Sequence, residues 1–275
     1  MADTLVLYDV AERVATITLN RPEKRNALNA QVWAELEAAL RAADADRAVR
    51  AVILAANGPA FCAGADLAQG MGTMPVGRRT ALDTFVSQQD GVRRHHLFRD
   101  LTKPIIAAVQ GPAVAWGMEL ACLCDFVFAS ERAQFGAPAI RHSVFIGSLL
   151  PWLVGIQNAR YLWYTGDMID AQEAHRISLA FRVVPHDALA EAVQQFARRL
   201  ALIPPAALRL NKRQLDGALE MAGMWQALEY GALAATLVHA VDSSDEAAEG
   251  QRLRGVRDRE GMGAFLAARD TPFEG

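Results

Sequence analysis

The run KPIIAAVQGPAVAWGMELACLCDFVFASERAQFGAPAI, Lys103 to Ile140, constrains this chain more than any other stretch. Pro104 opens a continuous apolar segment, IIAAV, of strand length. Gly111-Pro112 turns the chain, WGMELACLCD reads as a short helix, and FVFAS as another strand. Between Lys103 and Cys124 the sole carboxylate is Glu119. A lone acid in such a run needs a partner or a task.

The flanking sequence extends the same α/β pattern. Leu5–Asp9 and Val14–Leu19 read as a β-hairpin, and NRPEKRNALN as a charged loop. Asn29 can cap a helix with Val32, Trp33, Leu36 and Leu40 on its apolar face. VRAVILAAN reads as a buried strand, followed by the small-residue loop GPAFCAGADLAQG. Residues 70–80 contain Gly and Pro and read as mobile. Residues 81–99 read as a helix with Leu82, Phe85, Val86 and Val92 on one side. One helix is expected near 148–163, and three more near 187–201, 206–221 and 222–242. The last residues form a charged tail. The C-terminal third is thus helical, and its apolar faces (Trp225, Leu228, Leu233, Leu237) need the core or another subunit to cover them.

Composition removes several function classes. The chain has 275 residues, 52% hydrophobic and 21% charged, with a net charge of −3. This is a globular profile, and it offers nothing that attracts nucleic acid. No signal peptide or membrane span is expected. Cys62, Cys122 and Cys124 form neither a disulfide framework nor a metal-ligand set, so a reducing, cytoplasmic setting is expected. There is no GxGxxG after a strand and no P-loop, so no nucleotide cofactor is expected.

Two loops and one carboxylate carry the candidate chemistry. In FCAGADL, small residues let a ligand approach the backbone, and the Ala65 N–H is a candidate donor. The same residues also fit a plain tight turn. In QGPAVAWGMEL a helix should begin near Gly117, and its first amides have no internal partner. One donor from each loop, aimed at a polarised carbonyl, would stabilise developing negative charge. Glu119 lies one turn inside that helix, among Trp116, Met118, Leu120, Ala121 and Cys122, where it suits proton transfer. A purely structural place at a helix N-terminus is the alternative.

The segments LNRPEKRNALN, AFCAGADL, KPIIAAVQGPAVAWGMELACLCDFVFASERAQFG, TGDMIDAQEA and EGMGAFLAAR together resemble the enoyl-CoA hydratase/isomerase, or crotonase, family. The resemblance covers about the whole chain. It implies an α/β spiral of repeated ββα units over residues 1–200 that binds acyl-CoA. It implies a helical region over 201–275 for trimer packing and active-site cover. A homotrimer or dimer of trimers is expected, acting on an acyl-CoA or enoyl-CoA thioester without a cofactor. The resemblance puts the thioester oxygen between the amides of Ala65 and Trp116. It puts CoA near Lys24, Arg25, Ala27, Ala63, Gly64, Asp66 and Leu67.

Two positions depart from the family pattern. Trp116 stands where a glycine is usual, and its indole must narrow the acyl pocket or pack away. Ala139, in QFGAPAIRH, stands where hydratases carry a second glutamate. Ordinary hydration, which shares its protons between two carboxylates, is therefore in question. Arg141 and His142 are near in sequence, and His142 is the candidate auxiliary acid or base. His95 and His96 sit on the preceding helix and carry less weight. The resulting expectation is a hydratase-like enzyme. An isomerase, a specialised lyase or hydrolase, and a non-catalytic acyl-CoA binder are the alternatives.

Overall fold

The computed structural model describes residues 4–69, 80–141, 149–240 and 248–273. Its strands are β1 (Val6–Ala11), β2 (Val14–Leu19), β3 (Ala51–Ala56), β4 (Ile105–Val109), β5 (Ala113–Val114), β6 (Phe126–Ser130), β7 (Gln134–Gly136), β8 (Met168–Asp170) and β9 (Arg182–Val184). Its α-helices are α1 (Ala30–Ala45), α2 (Ala81–Asp100), α3 (Trp116–Cys122), α4 (Leu150–Val154), α5 (Ile156–Thr165), α6 (Ala171–Arg176), α7 (Leu189–Ala201), α8 (Pro205–Met221), α9 (Met224–Ala240), α10 (Ala248–Glu260) and α11 (Met262–Asp270).

The hairpin β1–β2 turns at Glu12 and Arg13, both at positive φ, as a two-residue turn requires. From β2 onward the main sheet is parallel, in the order β1-β2-β3-β4-β6-β9. Parallel neighbours need crossovers, and helices α1 to α3 lie along those connections. Every residue of β4 is buried, which explains its unbroken apolar run. A smaller sheet, β5-β7-β8, stands beside the main one.

Helix α7 covers one face of the main sheet. Leu189, Val193 and Ala197 pack there with Ile53, Ile106 and Phe128. Helix α1 serves the larger core. Asn29 caps it by accepting from the Val32 N–H at 2.8 Å. Val32, Trp33, Leu36 and Leu40 are all buried. Burial of each such side chain contributes about 1.5–3 kcal/mol.

Two expectations from sequence are corrected. In α2, Leu82, Phe85 and Val86 are exposed, and the buried stripe instead carries Gly91, Val92, His95, Phe98 and Arg99. The helix expected near 148–163 is two helices, α4 and α5. They are separated at Gly155, whose φ of 76° breaks the helical path. The charged tail carries α10 and α11, inside the region expected to be helical. The segment expected to be mobile lies, apart from Thr80, outside the described residues.

Charged pairs fasten the C-terminal helices. Arg99 on α2 donates to Asp216 on α8 at 2.7 Å, and both are buried. Lys212 meets Asp125 at 2.5 Å, and Asp125 also accepts from the Ile105 N–H. Helix α9 lies along α2, where His96 stacks on Trp225 at 4.0 Å between ring centroids. Among the described residues no helix is long and apolar enough to cross a membrane.

Candidate active site

The site forms where the loop after β3 meets the start of α3. The Val114 N–H donates to the Cys62 carbonyl at 2.9 Å, and the Pro112 carbonyl accepts from Phe61 and Cys62. This lays the loop along β5. Its next residues pair with Leu28. The Leu28 N–H donates to the Gly64 carbonyl at 2.7 Å, and the Asp66 N–H donates to the Leu28 carbonyl at 2.9 Å. A parallel bridge made this way turns the intervening Ala65 amide to the opposite edge.

Two glycines permit the approach. Gly64 has φ 92°, and a Cβ there would stand 2.8 Å from the Val114 carbonyl oxygen and 3.5 Å from the Trp116 nitrogen. A Cβ on Gly117 would lie 2.1 Å from the Cys62 carbonyl oxygen. Larger residues at either place would separate the loops. The Cys62 thiol is pushed up to about 12 by burial, against a smaller opposite pull from the Gly64 N–H. It remains a neutral packing group beneath the loop.

Trp116 is the first residue of α3. The left-handed backbone angle falls on Ala115 (φ 50°), not on Trp116. A non-glycine residue held there stores roughly 1–3 kcal/mol of strain. The Ala115 N–H donates to the Gly136 carbonyl at 2.8 Å and helps to hold that turn. The indole packs between helices. Its ring lies edge-on to Trp33 of α1, at 6.4 Å, and to His95 of α2, at 5.9 Å. Gly91 makes room for it, since a Cβ there would sit 3.4 Å from the indole Cη2.

Glu119 is 0% exposed. Its Oε1 lies 2.7 Å from His95 Nε2, and His95 is itself only 1% exposed. The other oxygen, Oε2, is buried and has no hydrogen-bond partner among the described residues. Such an atom is costly unless a ligand or water meets it. His95 Nδ1 lies 2.8 Å from the Gly91 carbonyl oxygen. A carbonyl only accepts, so Nδ1 carries a hydrogen. The Cys122 thiol, on the same short helix, is pushed well above its usual range by burial and then by the Glu119 charge.

His95 is the residue that sequence reasoning ranked too low. The usable signal was spacing. Gly91, His95 and Arg99 recur at every fourth position and so share one helical face. A search for apolar periodicity passes over them.

The remaining candidates divide into two groups. Lys24 and Arg25 are exposed on a 3-10 turn, and Ala27, Ala63, Ala65 and Leu67 are half-buried nearby. The Ala63 N–H donates to the Arg25 carbonyl at 2.9 Å, so this edge is continuous. Asp66 turns inward. Its carboxylate meets Arg21 at 2.7 Å and accepts from the Ala68 and Gln69 amides at 2.9 and 3.0 Å. Burial alone would raise its acidity range. The Arg21 guanidinium and those amides outweigh burial and hold the carboxyl below the usual value.

Ala139 is half-buried in a 3-10 helix, Pro138–Arg141. Arg141 is engaged by the Thr165 carbonyl, Asp167, Asp270 and the Phe273 ring, which anchors the C-terminal helices. His142 lies outside the described residues. His96 stacks on Trp225 and ties α2 to α9.

Comparison with known proteins gives the family and the fold. The profile of the enoyl-CoA hydratase/isomerase family matches residues 9–275. A probable enoyl-CoA hydratase of Rhizobium meliloti (strain 1021) is 38% identical over 279 residues, covering 100% of this chain and 99% of that protein. A crotonyl-CoA hydratase of Syntrophomonas wolfei is 33% identical over 280 residues, covering 99% of each. An enoyl-CoA hydratase/isomerase from Xanthobacter autotrophicus Py2 superposes with a TM-score of 0.85 at 33% identity, covering 99% of both chains. An enoyl-CoA hydratase from Mycobacterium smegmatis gives 0.87 at 26% identity, covering 98% of this chain and 94% of that one. With its spiral α/β core and this loop-and-helix junction, the chain belongs to the enoyl-CoA hydratase/isomerase family of enzymes and has the crotonase fold.

Proposed function

We propose that the protein acts on an acyl-CoA thioester through an enolate, with the thioester oxygen held by the amides of Ala65 and Trp116. One observation carries this reading. Gly64 and Gly117 bring the two amide-bearing backbones together beside a buried carboxylate, Glu119, one oxygen of which has no partner among the described residues. Backbone donors fixed before the reaction stabilise the enolate oxygen as charge develops there. Glu119 Oε2 exchanges a proton with the substrate carbon chain or with water. Lys24 and Arg25 suit the phosphates of CoA at the exposed edge of the same loops.

Hydration of a 2-enoyl thioester is the leading reaction, in keeping with the names of the relatives. Double-bond isomerisation is the second reading. Ala139 favours it, because one base can carry a proton between two carbons of the same chain. Exposed Leu210, Leu215, Leu233 and Leu237 on α8 and α9 support a trimer or dimer of trimers. Three buried free thiols suit a reducing cytoplasm.

The test is incubation with 2-enoyl-CoA and 3-enoyl-CoA thioesters in deuterated buffer, with products read by mass and proton NMR. Oxygen added at C3 establishes hydration, and a shifted double bond without added water establishes isomerisation. Glu119→Gln should lower kcat by about 10²–10⁴-fold while thioester binding persists. Binding without turnover in the wild type, unchanged by Glu119→Gln, identifies a non-catalytic binder and rejects the proposal.

A further inference from the structure

We propose that Glu119 and His95 hold one shared proton, and that His95 is the second proton store that a carboxylate at residue 139 would otherwise supply. This rests on the functional reading above and concerns the same site.

The argument begins with hydrogen-bond inventory. His95 Nδ1 faces the Gly91 carbonyl oxygen at 2.8 Å and must be the donor in that contact. A neutral imidazole protonated at Nδ1 presents a bare lone pair at Nε2. That atom lies 2.7 Å from Glu119 Oε1. A lone pair and an ionised carboxylate oxygen repel at this distance, with no water to separate them at such burial. A proton must therefore lie between Nε2 and Oε1. The pair is either a carboxylic acid donating to imidazole or a carboxylate accepting from imidazolium. Both forms carry the same net charge of zero, so the proton can move along the contact without burying a net charge.

Either form leaves Glu119 Oε2 as an acceptor. This resolves a difficulty in a one-carboxylate site. When Oε2 takes a proton from water, the shared proton moves fully to Nε2, and Glu119 remains a neutral acid. The water oxygen forms its bond to C3, and the C2–C3 π electrons pass into the thioester enolate. A proton from Oε2 then forms the C2–H bond, and the shared proton returns toward Oε1. Water has been added and the pair is restored. In isomerisation the same sequence takes a proton from one carbon and returns it to another. His95 does not touch substrate in this scheme. It is a positioning residue that changes the proton capacity of Glu119.

The surroundings favour exchange within the pair. From α3, the neighbouring titratable group is Cys122, whose thiol is held neutral chiefly by burial. From α2, the next turn carries Arg99, which is taken by Asp216. Trp116 of α3 lies against the imidazole, with Trp33 of α1 behind it, and neither brings an ionisable group. Ala232 and Ala235 of α9 close the adjoining turn of α2 at Val92. His96 turns away onto Trp225.

Histidine-selective ¹⁵N NMR of the wild-type protein reads the pair without needing turnover. One of the six histidines should show a protonated Nδ1 and an Nε2 shift between those of bare and protonated nitrogen. In Glu119→Gln that Nε2 should become a bare acceptor. His95→Gln retains a donor near Oε1 but cannot store a proton. With a thioester that the wild type converts, it should lower kcat about a hundredfold or more with little change in KM, and alter the pH profile of kcat. A bare Nε2 in the wild type would overturn the shared proton. Wild-type kcat and pH profile in His95→Gln, with Glu119→Gln inactive, would overturn the role of His95 and leave the functional reading standing. Wild-type rates in both variants would overturn the functional reading and this proposal together.

Discussion

At the residue scale the site depends on atoms that are absent. Gly117 has no Cβ, and one placed there would overlap the Cys62 carbonyl 2.1 Å away. Gly117→Ala must therefore push α3 from the loop after β3. It should abolish turnover and lower stability by about 1–3 kcal/mol, as overpacking does. Activity assays beside urea titration check this, and a fully active, equally stable variant would contradict the loop contact. Trp116 illustrates the limit of reading one position at a time. Its backbone role is compatible with any side chain but proline. The direction of its indole is set by Gly91, twenty-five positions earlier in the chain, together with Trp33 and His95. Nothing local to AVAWGME encodes that space.

At the element scale the small-residue loop after β3 is held by charge inside the protein. Arg21 and Asp66 are both buried and paired, and Asp66 also caps the backbone of Ala68 and Gln69. The folded carboxyl is held below its usual range, so its stabilisation is present above the unfolded value near about 3.9. That stabilisation is lost as pH falls through the lower folded value. Asp66→Asn should cost about 1.5–3 kcal/mol at pH 7, the worth of a charge-assisted hydrogen bond. The gap between variant and wild type should close in acid. Urea titrations at pH 7 and pH 3 decide it, and a gap independent of pH would remove the carboxylate from this role. Helix α1 was legible in sequence because its cap and apolar stripe agree. Helix α2 was legible as a helix but not in its facing. Its buried stripe carries His95 and Arg99 beside Val92 and Phe98, and burial of the two polar residues follows from partners at Glu119 and Asp216. Those partners lie in α3 and α8, so periodicity within α2 cannot reveal them.

At the scale of the whole molecule, α8 and α9 present Leu210, Leu215, Met221, Tyr230, Leu233 and Leu237 to solvent. Apolar exposure on this scale is unusual for a monomer. Light scattering after size exclusion should give a trimer or hexamer mass, and a monomer at micromolar concentration would reject that assembly. The sequence by itself determined the α/β class, the strands IIAAV and FVFAS, the two small-residue loops and Glu119 as the lone carboxylate of the short helix after the second loop. These rest on local patterns: strand-length apolar runs, caps, and Gly or Pro turns. Only the tertiary structure decided which polar residues are inside. It set His95 against Glu119, Arg99 against Asp216 and Asp66 against Arg21. The physical reason is that a buried polar group is tolerated only when a distant residue satisfies it. That pairing belongs to the packing of elements and not to any one of them.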